Sequence, residues 1–155
     1  MNKIYASTKE FAPIFDELLK SGNTISVRIT GNSMFPLFSH MRDTLTIKKS
    51  EKYGKRDIVM YLRENGDLVI HRIVRKKTNA FAMCGDNQTV MEYPIYEEQI
   101  MGRLTAFERK GKKKTVSNVF YRIYSFFWCL DLKMRKPVLL FLLKTKRKLK
   151  NGRTS

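Results

Sequence analysis

The chain has 155 residues, room for one compact domain and an appendage, and its 43% hydrophobic content supplies a core and excludes wholesale disorder. It carries 31 Lys and Arg against 14 Asp and Glu, but the excess is local: residues 1–108 hold 16 basic and 13 acidic residues, whereas residues 109–155 hold 15 and one. Two cysteines, Cys84 and Cys129, with two histidines make neither a disulfide framework nor a zinc-ligand spacing, so no metal or other cofactor is implied.

Residues 1–22 read as a short amphipathic helix. Phe11, Ile14, Phe15, Leu18 and Leu19 recur at helical spacing, Ser7 with Glu10 matches a capping box, and Gly22-Asn23 ends the segment. Pro13 favours a first turn near Ala12. Charges at Glu10, Asp16, Glu17 and Lys20 stand where a secretory signal needs an apolar centre. Residues 23–110 read as an antiparallel, mainly β domain. Ile25, Val27 and Ile29 alternate with polar residues, as do Leu45 and Ile47. Asp57–Leu62 and Leu68–Val74 are β-branched runs separated by the hairpin turn Glu64-Asn65-Gly66-Asp67. Asn79–Cys84 and Ile100–Phe107 follow, with no helical crossover between strands.

Gly111-Lys112-Lys113-Lys114 marks a boundary, and residues 111–155 read as a basic helical appendage. Val116, Val119, Phe120, Ile123, Phe127 and Leu130 form a stripe, Pro137 interrupts it, and Val138–Leu143 leads into Lys144–Lys150. Every charge-free stretch is far shorter than the roughly 20 apolar residues of a spanning helix. The expected partner of residues 115–155 is an anionic membrane surface, with Tyr121, Tyr124 and Trp128 at the headgroup boundary and the lysines on the phosphates. Packing of the stripe on the β domain is the competing reading. Nucleic acid is disfavoured, because aromatics for base stacking lie upstream of the lysines rather than among them. Together with the absent signal and the unpaired cysteines, this makes the cytoplasm, peripheral on the inner face of the cell membrane, the expected location.

Hydrolytic chemistry needs a nucleophile, a base and a group that orients the base. Ser33 lies in Gly31-Asn32-Ser33-Met34-Phe35-Pro36, directly after a strand, where a hydroxyl is exposed and a backbone N–H can face an oxyanion. An ordinary turn serine fits the same position. His71 in Leu68-Val69-Ile70-His71-Arg72-Ile73-Val74 and His40 in a polar loop are the two candidate bases, and a structural histidine in an apolar strand is the plain alternative for His71. Asp86, in Cys84-Gly85-Asp86-Asn87, is the candidate orienting acid or a turn aspartate. Cys84 beside it reads as a packed strand residue, and Glu97-Glu98 as a solvated face.

Together, GNSMFP, RDTLTI, RDIVMY, LVIHRIV, GDN and IMGRL resemble in order and spacing the serine peptidase family that joins type I signal peptidases with self-cleaving SOS-type repressors. The resemblance runs from about Ile25 to Phe107. It implies a signal-peptidase-like antiparallel β domain with Ser33 as nucleophile, His71 as base, as in the endoplasmic-reticulum-type branch, and Asp86 as the acid. A histidine near 6.5 needs no shift to act at neutral pH, whereas a lysine near 10.4 needs a large one. Three features depart from the pattern. Gly31 replaces the hydroxyl residue that helps bind the oxyanion, leaving Asn32 as a candidate donor. Glu92 stands where that branch has a further aspartate. The chain also lacks the spanning anchor of signal peptidases. The resulting expectation is a serine endopeptidase acting on a peptide or protein substrate. A self-cleaving repressor-type regulator is the alternative, against which stand the absent helix-turn-helix pattern, the absent lysine base and the absent Ala-Gly dipeptide. An inactive nucleic-acid-binding module using the basic tail is the other.

Overall fold

The computed structural model describes residues 8–151. Helix α1 covers Thr8–Lys20. Eight strands follow: β1 (Thr24–Arg28), β2 (Thr44–Lys48), β3 (Ile58–Leu62), β4 (Leu68–Lys76), β5 (Phe81–Cys84), β6 (Glu92–Ile95), β7 (Ile100–Arg109) and β8 (Lys112–Thr115). Two helices close the chain, α2 (Val119–Trp128) and α3 (Arg135–Asn151). Pro13 sits inside α1, so the helix begins earlier than the proline suggested. Ser7, the expected capping residue, lies outside the described residues.

All strand pairs are antiparallel, in the order β1-β2-β7-β3-β4-β5-β6, with β8 also on β7. This is the mainly β architecture expected. The β3–β4 hairpin turns at Asn65-Gly66, where Gly66 has a φ of 83° that a side chain would resist. Strand β3 is buried on both faces, and its alternation separates two cores. Ile58 and Met60 join Leu45, Ile47, Leu104 and Phe107, while Val59 and Tyr61 join Ile73, Phe81, Met83 and Ile100. Helix α1 lies on the first of these cores through Leu19 and Phe15.

Two strands had no alternation to reveal them. β6 carries Pro94 and lies at the sheet edge, where a missing N–H costs no ladder bond. β8 is three lysines and a threonine, all exposed. Its register is imposed by β7 through the two-residue turn Lys110-Gly111, both at positive φ. Gly111 therefore turns a hairpin, and the sheet runs on to Thr115. Charged side chains suit such an edge, since they discourage pairing with another chain. Pro137 falls in the first turn of α3, where its missing N–H is tolerated; the break between helices comes earlier, at residues 129–134.

Candidate active site

Ser33 sits in the loop between β1 and β2, and the loop is closed at its base by backbone bonds. Ile29 N–H donates to Asp43 O at 3.0 Å and Met41 N–H to Ile29 O at 2.8 Å. The Asp43 carboxylate, wholly buried, takes the Ser39 N–H at 2.9 Å and both donors of Arg42 at 2.7 and 2.6 Å. Met34, Leu37 and Phe38 plug into the core, which leaves Ser33 half-buried at the rim. His40, the rival base, is exposed, and its Nδ1 accepts the Gly31 N–H at 2.8 Å. It braces the loop that carries Ser33. Asn32 is exposed, and its carbonyl takes the Phe35 N–H at 3.1 Å.

His71 and Arg72 are consecutive on β4, so their side chains leave opposite faces of the strand. Cys84 is the cross-strand partner of Arg72, and Asp86, two residues on, shares the Arg72 face. Met83 is the partner of Ile73 and also of Glu92, so Glu92 shares the His71 face. The hydrogen bonds follow this parity. Arg72 Nε and Nη2 donate to Asp86 Oδ1 and Oδ2 at 2.8 and 2.7 Å, with both side chains fully buried. Tyr124 OH adds a third bond to Oδ2 at 3.1 Å. Asp86 was expected to hold the imidazole; the structure instead gives its carboxylate to Arg72, because register puts it on that face. The acid against His71 Nδ1 is Glu92, with Oε1 at 3.2 Å.

Tyr61 completes the arrangement. Its hydroxyl donates to Glu92 Oε2 at 2.9 Å and lies 3.2 Å from His71 Nδ1. Arg63 fixes the same carboxylate, with Nε 2.8 Å from Oε2 and Nη2 on Oε1. Burial works to raise the Glu92 pKa, but the bonds from Arg63 and Tyr61 outweigh it and hold the carboxyl below its ordinary range. Burial and the bond to Glu92 push the Tyr61 hydroxyl far up, so Tyr61 keeps its proton. A tyrosine has one proton, and here it goes to Glu92, so the neighbouring Nδ1 must supply its own. That selects the tautomer with Nδ1 protonated and the Nε2 lone pair available. Burial, only partly opposed by Glu92, lowers the His71 pKa below 6.5 and keeps the ring neutral.

Ser33 and His71 line one cavity of about 320 Å³. Its walls are mixed, with Phe15, Val27, Met60, Leu68 and Ile70 among the apolar residues and Arg28, Thr30, Arg63 and Gln88 at polar positions. The turn at Gly85–Gln88 reaches the Ser33 loop, where Asn87 N–H donates to Ser33 O at 2.7 Å. Gly85 makes this approach possible, since a Cβ there would lie 2.6 Å from Ser33 O. Gln88 Oε1 takes the Gly85 N–H at 2.9 Å and holds the turn shut.

Tyr61, Arg63, Arg72 and Gln88 were not singled out in the sequence. The one signal was parity: Tyr61 lies opposite Val69, two residues from His71 on the same face. Cys84 and Cys129 are both buried and free, and burial pushes both thiols up, which suits packed residues. Among the described residues no helix is long and apolar enough to cross a membrane.

No curated protein matches the chain. The model of the Peptidase S24-like family matches residues 3–105, which takes in α1, the Ser33 loop, β4, the Asp86 turn and most of β7. That family includes peptidases and self-cleaving repressors, and some of its members are non-catalytic. With six sequence boxes carried by the strands and loops of one antiparallel sheet, and the match covering well over half of the sequence, the chain belongs to the Peptidase S24-like family.

Proposed function

We propose that the protein is a serine endopeptidase in which Ser33 is the nucleophile, His71 the base and Glu92 the carboxylate that orients it. The observation that carries this reading is the single cavity lined by Ser33 and His71, with Glu92 and Tyr61 behind the ring. Ser33 Oγ attacks the substrate carbonyl while His71 Nε2 takes its proton. The resulting imidazolium is stabilised by Glu92 across Nδ1, and it returns the proton to the leaving amine. An acyl ester on Ser33 remains, and a water, deprotonated by the same Nε2, releases the acid. The oxyanion falls to the Ser33 backbone N–H, aimed by the loop that His40 and Asn87 hold. Asp86 acts at one remove: paired with Arg72, it fixes the turn that positions Ser33. The apolar part of the lining, with Phe15, Val27, Leu68 and Ile70, suits a peptide side chain beside the scissile bond, and the polar part suits the peptide backbone.

The test is labelling of the full chain by a serine-reactive fluorophosphonate probe, wild type beside Ser33→Ala and Glu92→Gln. Labelling should vanish in the first and slow markedly in the second. Equal labelling of wild type and Ser33→Ala ends the proposal.

A further inference from the structure

We propose that α2 and the start of α3 seat the protein on an anionic lipid bilayer, with a headgroup phosphate taken up by a basic cavity beneath α2. The first observation is the division of α2 into two faces. Tyr121, Tyr124, Ser125 and Trp128 point inward, where Tyr124 OH and Trp128 Nε1 donate to Asp86 and Ser125 Oγ accepts from Arg72. Tyr124 and Trp128, expected at the membrane boundary, therefore hold the acid turn. At helical spacing on the other side lie Val119, Phe120, Ile123, Phe126, Phe127 and Leu130, between 46% and 77% exposed. Met134, just before α3, and Val138, Leu140 and Phe141 within it are likewise exposed.

The second observation is independent. A cavity of about 280 Å³ opens between α2 and the sheet, lined by Lys55, Arg56, Arg103 and Arg122. Asp57 is the one acid of its lining and lies 3.8 Å from Arg103, which leaves three positive charges in excess. Arg56 occupies it at a φ of 84°, a costly conformation for a non-glycine residue. Its backbone is fixed there, N–H on Ile73 O and carbonyl under Arg72 Nη1. The Arg56 guanidinium lies 5.8 Å from the Phe126 ring, so the basic cavity and the apolar face adjoin.

The chemistry selects the occupant. Exposed Val, Ile, Leu and Phe beside cations match the boundary of acyl chains and phosphates. A nucleic-acid backbone offers nothing to the aliphatic side chains. Pairing with a second copy through this face would bring Arg122 and Lys133 of both copies into one interface, where like charges repel.

The test uses the full chain, because α2 also holds the acid turn. Sedimentation with phosphatidylcholine vesicles, with and without phosphatidylglycerol, is compared for wild type, Phe120→Ser/Phe127→Ser and Arg56→Gln/Arg122→Gln, each checked for an unchanged circular dichroism spectrum and melting temperature. Wild type should pellet only with the anionic vesicles and less as salt rises. Each variant pair should bind about tenfold more weakly or worse. Equal pelleting with neutral vesicles, or no loss in either variant pair, overturns the proposal. So does a dimer that Phe120→Ser/Phe127→Ser dissociates while vesicle binding is unchanged, and so does binding of a DNA oligonucleotide without vesicle binding. None of these readouts depends on peptidase activity, so the docking surface and the active site stand or fall separately.

Discussion

His71 is 2% exposed, and burial sets how it titrates. A base must be neutral to accept a proton, and burial favours the neutral ring, so activity should persist to lower pH than an ordinary histidine allows. The acidic limb of kcat/KM is expected below 6.5, falling as pH drops through the lowered pKa. The same shift acts on stability: the unfolded chain takes up this proton first, so stability declines as pH falls from the ordinary value to the lowered one. A pH–rate profile centred at or above 6.5 contradicts this. Glu92 raises the ring's pKa, so Glu92→Gln should move the limb to still lower pH while cutting kcat/KM by roughly 100-fold. Ser33→Ala should abolish turnover and change stability by less than about 0.5 kcal/mol in urea melts, because Ser33 sits at a loop rim. Ser33 and His71, which line one cavity, were legible in their boxes. That Glu92 rather than Asp86 faces the imidazole was not, because a carboxylate's partner depends on which face of a strand it shares, and that depends on register.

The Gly85–Gln88 turn is the element on which the site depends. Gly85→Ala puts a methyl 2.6 Å from Ser33 O, and that backbone atom can yield only by moving Ser33. Activity should fall at least 100-fold while thermal unfolding reports a loss of about 1–3 kcal/mol. Asp86→Asn acts differently. It strips a fully buried Arg72 of its charge partner, so urea unfolding should show a cost of about 3–5 kcal/mol. The acidic limb of its pH–rate profile should move to lower pH by less than in Glu92→Gln, since Asp86 raises the ring's pKa through its charge alone, whereas Glu92 raises it more and also bonds the ring. A shifted limb in Asp86→Asn, with Glu92→Gln unshifted, would return the orienting role to Asp86. Hairpin β3–β4 was readable from Asn65-Gly66 and two β-branched runs. β8 was not, because its lysines carry no pattern and β7 alone imposes their pairing.

Across the whole molecule the basic C-terminal region is not separable from the β domain. Tyr121 packs on Phe107 with ring centroids 5.7 Å apart, and Arg135, 1% exposed, donates to Gly85 O at 2.9 Å. A chain ending at Ser117 leaves the Arg72–Asp86 pair and the Gly85 carbonyl without the Tyr124, Ser125 and Arg135 partners. Thermal melts should show it several kcal/mol less stable than the full chain, with Ser33 labelling slowed. A truncated chain that melts and labels like the full one shows α2 to be a mere appendage.

The sequence by itself determined the strand class, because alternation with period two leaves one way to bury an apolar face. It also determined the order of the boxes, hence the family, and with it the candidacy of Ser33 and His71. The tertiary structure decided what lies behind the histidine. His71 and Arg72 diverge across one strand, β5 and β6 bring Asp86 to one face and Glu92 to the other, and no local pattern encodes that pairing. It decided the fate of the tail aromatics in the same way. Tyr124 and Trp128 have polar tips that suit a buried acid turn as well as a headgroup boundary, and only the docking of α2 against Asp86 chooses between them.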